Sequence, residues 1–220
     1  MKEKIVLIGS GQQANVVLYN LIEQNKYDVV VILDKDKTKI GTEIDGIKIE
    51  YQNDNLKKLK EKYRTNKFFI SFGNMKYRKQ VFDNFIEAGW ETVNIIHPSA
   101  IVSPKAILGK GILIEAGCLI TPNPKIGNNV VINTGSQVNH DNIIEDHVYI
   151  ASGVVLSGGV TIGENTLLDD NVTVTLGKTI GKNCLIGAGA VVTKNIDNNI
   201  VAYGNPCKAI RRNLITEEEI

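Results

Sequence analysis

A six-residue hydrophobic period governs the second half of this 220-residue chain. From Ile101 aliphatic residues recur at Ile107, Leu113 and Leu119. After one extra residue the count resumes at Ile126, then runs through Ile132, Val138, Ile144, Ile150, Leu156, Ile162, Leu168, Val174, Ile180, Ile186 and Val192. A helix repeats every 3.6 residues and a pleated strand every two, so neither explains the pattern. The period predicts a coil with three short sides, each sending one aliphatic residue inward. Successive coils would pair as parallel strands about 4.8 Å apart. Four residues past each inward position the corner is tight, and a small side chain is expected. Val130, Ser136, Asn142, Val148, Val154, Val160, Thr166, Val172, Lys178, Cys184 and Ala190 occupy that slot. Asn142 and Lys178 are the two misfits, and local misfits tend to mark working sites. Cys184 reads as a small core residue.

Before residue 97 the pattern is different, which divides the chain into domains at 1–96 and 97–220. Apolar runs at 4–8, 27–33, 68–72 and 92–96 read as strands. Segments 13–23, 56–63 and 77–88 read as helices. Strands alternating with helices imply a parallel sheet covered by helices, a small Rossmann-like unit.

Composition narrows the function classes. Twenty-five basic residues against twenty-four acidic ones give no basic excess, and no nucleic-acid partner is expected. Lys57, Lys58, Lys60 and Lys62 read as the solvated face of a helix. No stretch approaches the roughly 18–20 apolar residues of a membrane span. The start, Met1-Lys2-Glu3-Lys4-Ile5, lacks the apolar core of a signal peptide, so a cytoplasmic location is expected. Cys118, Cys184 and Cys207 are odd in number and widely spaced, which argues against a disulfide framework or a cysteine zinc site.

The hexads Ile162-Gly163-Glu164-Asn165-Thr166-Leu167 and Ile180-Gly181-Lys182-Asn183-Cys184-Leu185 resemble those of the left-handed β-helix acyltransferases. The ending Tyr203-Gly204-Asn205-Pro206-Cys207-Lys208 resembles the close of that class, with Cys207 where Ala is usual. The order of Ile8-Gly9-Ser10-Gly11-Gln12-Gln13-Ala14, Asp34, Ser71-Phe72-Gly73-Asn74, His97-Pro98-Ser99-Ala100 and Asn139-His140-Asp141 is similar to the bacterial sugar acetyltransferases. These N-acetylate UDP-4-amino sugars, and sialic acid O-acetyltransferase-like proteins are near relatives. The resemblance implies a left-handed coil, a homotrimer and acetyl-CoA as cosubstrate, with no metal. The family carries Gly-His where this chain has Gln12-Gln13, which leaves the nucleotide-sugar open.

Acetyl transfer from a thioester needs a base for the attacking group and donors for the oxyanion. His140 is the base candidate, with Asp141 as the acidic residue that the family places after it to orient the ring. Gly158 lies eighteen residues on, one coil away, and gives a thioester close access to a backbone N–H. The family resemblance also places Gly158 at the cofactor. One coil further, Thr175-Leu176-Gly177-Lys178 is expected to line the pantetheine channel. By resemblance, Tyr149, Asp170 and Ala188 are further cofactor positions. Lys208, Arg211 and Arg212 suit the CoA phosphates, since both residue types bind phosphate; a solvated tail is the alternative.

Gly9-x-Gly11-x-x-Ala14, with Asp34 twenty residues later, imitates a dinucleotide fingerprint. The domain is short for two mononucleotide halves and shows no hydride-transfer site. A Gly turn at a helix N-terminus receives a diphosphate whichever nucleotide carries it. The expectation is a nucleotide-sugar held by Gly9, Gly11, Gln12 and Gln13, with Asp34 and its neighbour Lys35 toward ribose or base and Gly73-Asn74 closing the pocket. The leading function is N-acetylation of a nucleotide-activated amino sugar. O-acetylation of a sialic or related acid is the alternative. A γ-type carbonic anhydrase would need three converging histidines, and the chain has only His97, His140 and His147. A non-catalytic nucleotide-sugar-binding scaffold is the last option.

Overall fold

A computed structural model describes residues 2–52 and 55–213. The chain divides into two compact units, Met1–Pro98 and Ser99–Ile220.

The first unit is an α/β sandwich. Strand β1 (Glu3–Ile8) leads through a Gly turn into helix α1 (Gln12–Gln24), then to β2 (Tyr27–Asp34). A short hairpin follows, β3 (Glu43–Ile44) and β4 (Ile47–Tyr51), then α2 (Leu56–Tyr63), β5 (Lys67–Ile70), α3 (Met75–Glu87) and β6 (Glu91–Thr92). The sheet order is β3-β4-β2-β1-β5-β6, so the central β1 has β2 on one side and β5 on the other. Both faces of β1 are buried, which explains its unbroken apolar run. Val6 and Ile8 join Phe68, Phe85 and Trp90 in one core. On α1, Ala14, Val17, Leu18 and Leu21 are buried at helical spacing. The helix stops at Asn25, which is left-handed and donates its N–H to the Leu21 carbonyl.

Several boundaries differ from the sequence reading. The strand expected at 68–72 ends at Ile70, because Ser71 turns its hydroxyl back to the carbonyls of Ile8 and Gly9 at 3.0 and 2.6 Å. α3 starts at Met75, two residues early, because Asn74 caps it by accepting from the Tyr77 N–H at 3.2 Å. The strand expected at 92–96 is two short pieces, β6 and β7 (Ile95–Ile96). The β3–β4 hairpin was not expected. Its signal is Asp45-Gly46, both with positive φ, the two-residue turn that joins right-twisted strands.

The second unit is a left-handed β-helix of two-residue strands. Each strand pairs in parallel with the one eighteen residues away: Leu119 with Ile101, Gln137 with Leu119, Val155 with Gln137, Thr173 with Val155. The other two faces repeat this, as in Ile144 with Ile126 and Leu168 with Ile150. The strands follow at six-residue intervals from Ile101–Val102 to Val191–Val192 without interruption.

That continuity corrects the register. No extra residue shifts the phase. In the first four hexads the inward residue is the second of each pair, so Ile114 and Ile120 are buried while Ile101 and Ile107 are 68% and 61% exposed. Both members of those pairs are aliphatic, so periodicity alone cannot say which one faces in. Cys118 thereby joins the small-slot series. Asn142 also links two coils. It is fully buried, and its Oδ1 accepts the N–H of Val160 one coil on, at 2.6 Å. Ser136 does the same for Val154, and Thr166 for Cys184. The polar slots thus link neighbouring coils, while Nδ2 of Asn142 is buried with no hydrogen-bond partner among the described residues. Lys178 is half-buried in the same column as Asn142 and Val160.

The corrected register has a direct test. Ile120→Ala is expected to cost about 2–5 kcal/mol in a urea titration. Ile107→Ser should shift stability by no more than about 0.5 kcal/mol. Equal losses would restore the shifted register.

Candidate functional site

The i+18 stacking turns the chain into vertical columns, and one corner collects the chemistry. His140, Gly158 and Leu176 are successive rungs of a column there. Asn123, Asp141, Gly159 and Gly177 form the adjoining left-handed column, with φ of 70°, 60°, 65° and 65°. The Gly159 N–H donates to the His140 carbonyl at 2.9 Å, and the Gly177 N–H to the Gly158 carbonyl at 3.0 Å.

The His140 ring packs against Gly158. A Cβ built on Gly158 would fall into the ring, beside Cε1 and Nε2. Gly158 does not have a positive φ, so it is space for the imidazole, not backbone strain, that excludes a side chain here. Nδ1 of His140 is 2.9 Å from Asp141 Oδ2. This contact leads the causes that hold the Asp141 carboxyl below the usual range, with a hydrogen bond from Asn123 second. Asp141 thus stays anionic and keeps Nδ1 as the donor, which leaves Nε2 to accept a proton.

Backbone capping separates this corner from the other two. Two residues past the inward position, the N–H groups of Lys110, Asn128, Glu164 and Lys182 are capped by side chains at one corner. Those of Thr134, Ser152 and Asp170 are capped at another. At the His140 corner the equivalent positions are Pro104, Pro122, His140, Gly158 and Leu176. Two have no N–H, and among the described residues nothing accepts from the other three. Gly158 is buried, and a buried N–H without an acceptor in the protein is rare.

Tyr149, Asp170 and Ala188 do not join this group within one chain. Tyr149 lies on the strand Tyr149–Ile150, where its hydroxyl accepts from Asn133 at 3.1 Å. Asp170 and Ala188 stack at the corner after that face, and Asp170 Oδ1 caps the Ser152 N–H at 3.0 Å. Lys208 opens the exposed strand Lys208–Arg212, which pairs antiparallel with Ile200–Tyr203 and carries Arg211 and Arg212. The three cysteines are buried, and burial pushes their thiols upward, Cys118 to about 11. None is a ready nucleophile.

Within one chain His147 and His97 have neighbours of their own. His147 sits at the next corner, buried, with Nδ1 2.9 Å from the Asn129 amide. His97 stacks on Tyr19 at 5.4 Å. Among the described residues no group of three or more His, Cys, Asp or Glu is placed to hold a metal ion. No helix there is long and apolar enough to cross a membrane.

In the first unit the candidate loops meet at the carboxyl edge of the sheet, on both sides of β1, where open α/β sheets bind ligands. Gly9 has φ 102° and lies under the Phe72 side chain, so any Cβ would strike that ring. Gly11 is the N-cap of α1, with open space where a Cβ would stand and no acidic residue in the first turn. Gln12 and Gln13 open the helix. Asp34 holds this loop: Oδ2 accepts from the Ser10 N–H at 2.7 Å and the Ser10 hydroxyl at 2.5 Å, and Oδ1 from the Asp36 N–H. Partial burial alone would raise its pKa, but these hydrogen bonds outweigh that and lower it. Lys35 is exposed beside it, and Gly73-Asn74 precede α3. Sequence reading missed Ser10, the residue that spends much of the Asp34 carboxylate on loop geometry.

A left-handed β-helix with an imidazole–carboxylate pair and an uncapped N–H at one corner defines a CoA-dependent acyltransferase of the hexapeptide-repeat class. The chain matches the PglD N-terminal domain family over residues 4–85 and the bacterial transferase hexapeptide (six repeats) family over 123–158. It is similar to a mutant of perosamine N-acetyltransferase from Caulobacter crescentus solved with CoA and GDP-perosamine. The identity is 32%, over 94% of this chain and 97% of that one, with a TM-score of 0.89. It is also similar to the acetyltransferase domain of PglB from Neisseria gonorrhoeae, solved with acetyl coenzyme A, at 27% identity over 96% and 100%, with a TM-score of 0.86. The chain belongs to the bacterial sugar acetyltransferases.

Two expectations follow. Gly158→Ala should displace the imidazole and lower kcat on the order of a hundredfold with the fold intact; unchanged turnover would mean that the seat does not matter. Asp34→Ala should cost about 1–2 kcal/mol at neutral pH through the loop donors it strands. A carboxyl with a lowered folded pKa contributes fully above its unfolded value and loses that as pH falls through the folded one. The stability gap between wild type and variant should therefore close only below about pH 3.8.

Proposed function

We propose that the protein transfers the acetyl group of acetyl-CoA to the amino group of a nucleotide-activated amino sugar, directly and with His140 as general base. The observation that carries this is the seating of the His140 ring on Gly158, beside the uncapped Gly158 N–H. As the amine nitrogen attacks the thioester carbonyl, Nε2 takes its proton and Asp141 holds the imidazolium through Nδ1. The Gly158 N–H receives the oxyanion. When the C–S bond breaks, the CoA thiolate takes the proton from the imidazolium and the amide is left on the sugar. The buried, high-pKa thiols support a route without an acyl-cysteine.

The first unit supplies the reason for a nucleotide-linked acceptor. The Gly9–Gly11 turn opens onto the N-terminus of a 13-residue helix, a setting that suits a diphosphate. The similar Caulobacter enzyme was solved with a GDP-linked sugar, which supports this class of acceptor without naming the one used here.

Tyr149, Asp170 and Ala188 as cofactor positions favour a homotrimer. Asp170 and Ala188 lie on a different corner from His140, and Tyr149 on the face that leads to it, so one prism does not present both groups to a single ligand. Prisms packed side by side would bring one copy's corner to its neighbour's. Light scattering should give three times the 24.2 kDa chain. A fully active monomer would exclude shared sites.

The reaction is tested with acetyl-CoA and a panel of UDP-, GDP- and dTDP-linked 4-amino sugars beside free sialic acid. His140→Ala should lose about 10²–10⁴-fold in kcat while still binding acetyl-CoA. Acetylation of sialic acid alone would overturn the acceptor class, and undiminished turnover by the variant would overturn the base.

A further inference from the structure

We propose that Asn123 is a positioning residue for the His140–Asp141 pair, one coil below it. The inference rests on the reading of His140 as the base. Asn123 Nδ2 donates to Asp141 Oδ1 at 3.1 Å, while Oδ2 of the same carboxylate faces His140 Nδ1 at 2.9 Å. The three side chains form one chain of hydrogen bonds that ends at the free Nε2. Without Asn123 the exposed carboxylate could rotate about its terminal torsion, and the imidazole would follow it.

The backbone makes this origin rigid. Asn123 stands between Pro122 and Pro124, and both rings lock their own φ. The Pro122 carbonyl accepts the Asp141 N–H at 3.3 Å, which ties the two coils together at this point.

Asparagine also tolerates a left-handed φ, and Asn129, Asn165, Asn171 and Asn183 occupy other left-handed corners. That preference alone does not account for Asn123. The two rungs above Asp141 in this column, Gly159 and Gly177, use glycine, which takes this φ with least strain. Only Asn123 and Asp141 among these four rungs carry side chains, and those side chains bond to each other.

Asn123→Gly separates the two explanations, because it keeps the backbone and deletes the amide. The expected result is a kcat about three- to tenfold lower, the rate equivalent of one exposed hydrogen bond, with an unchanged KM for acetyl-CoA and an unchanged melting temperature. Asn123→Asp sets a second carboxylate beside the pair, favours the imidazolium and should move the acidic limb of the kcat profile to higher pH. In a His140→Ala background, Asn123→Gly should have no further effect. Wild-type kcat and pH profile in both Asn123 variants would overturn the inference alone, as would an undiminished effect in the His140→Ala background. Wild-type turnover by His140→Ala would overturn the base assignment and this inference with it, so the two failures differ in which variant keeps its activity.

Discussion

Every feature of the second unit depends on the parallel pairing of each residue with the one eighteen positions away. The pairing is held by inward aliphatic columns such as Ile114–Ile132–Ile150–Leu168–Ile186, all buried. It converts sequence distance into vertical neighbourhood. Residues as far apart as Asn123, His140 and Gly158 therefore meet at one corner without any long loop to position them. A site built on such rungs inherits the rigidity of the ladder, which suits chemistry that depends on orientation.

The same pairing sets the limits of a single prism. Its three corners face different ways, so the His140 corner and the corner of Asp170 and Ala188 are separate surfaces of one chain. At the second of these, in its middle coils, Glu115, Asp170 and Asp169 accept from backbone N–H groups. The His140 corner has no such caps. Its lower coils remove the donor altogether with Pro104 and Pro122, and its upper coils leave it open. Leu176, 67% exposed one rung above Gly158, adds an apolar surface to the column.

How far the sequence carried depended on whether one residue or a pair held the information. From Ile126 upward most strand pairs join an inward aliphatic residue to a smaller or more polar partner, and the register is legible. Ile101-Val102, Ile107-Leu108, Leu113-Ile114 and Leu119-Ile120 are aliphatic at both places, and there the count chose the wrong member. Asn142 looked like a functional break because its side chain is polar, yet Ser136 and Thr166 are polar in the same slot and make the same i+18 link. The seat of His140 on Gly158 could be inferred from spacing alone. The ties from Ser10 to Asp34 and from Asn123 to Asp141 could not, because they depend on side-chain rotamers in loops that periodicity does not describe.

The uncapped Gly158 N–H ties stability to function. Leaving a buried donor without an acceptor costs about 1–3 kcal/mol. The fold meets this demand at other corners with a neighbouring Asp, Asn or Glu. At the corresponding place here it presents His140 on one rung and Leu176 on the next, and neither supplies an acceptor to the Gly158 N–H. A cap of the kind that Asp146 gives Asn128 would stabilise the coil but occupy the donor and set a negative charge at the proposed oxyanion site. An oxyanion is a stronger acceptor than the ground-state carbonyl, so in the proposed role this interaction would strengthen as the reaction proceeds. The open donor, the glycine that admits the imidazole and the carboxylate held on the far side of the ring are thus parts of one arrangement. Its stability deficit is small beside the burial of the aliphatic columns that hold the corner in place.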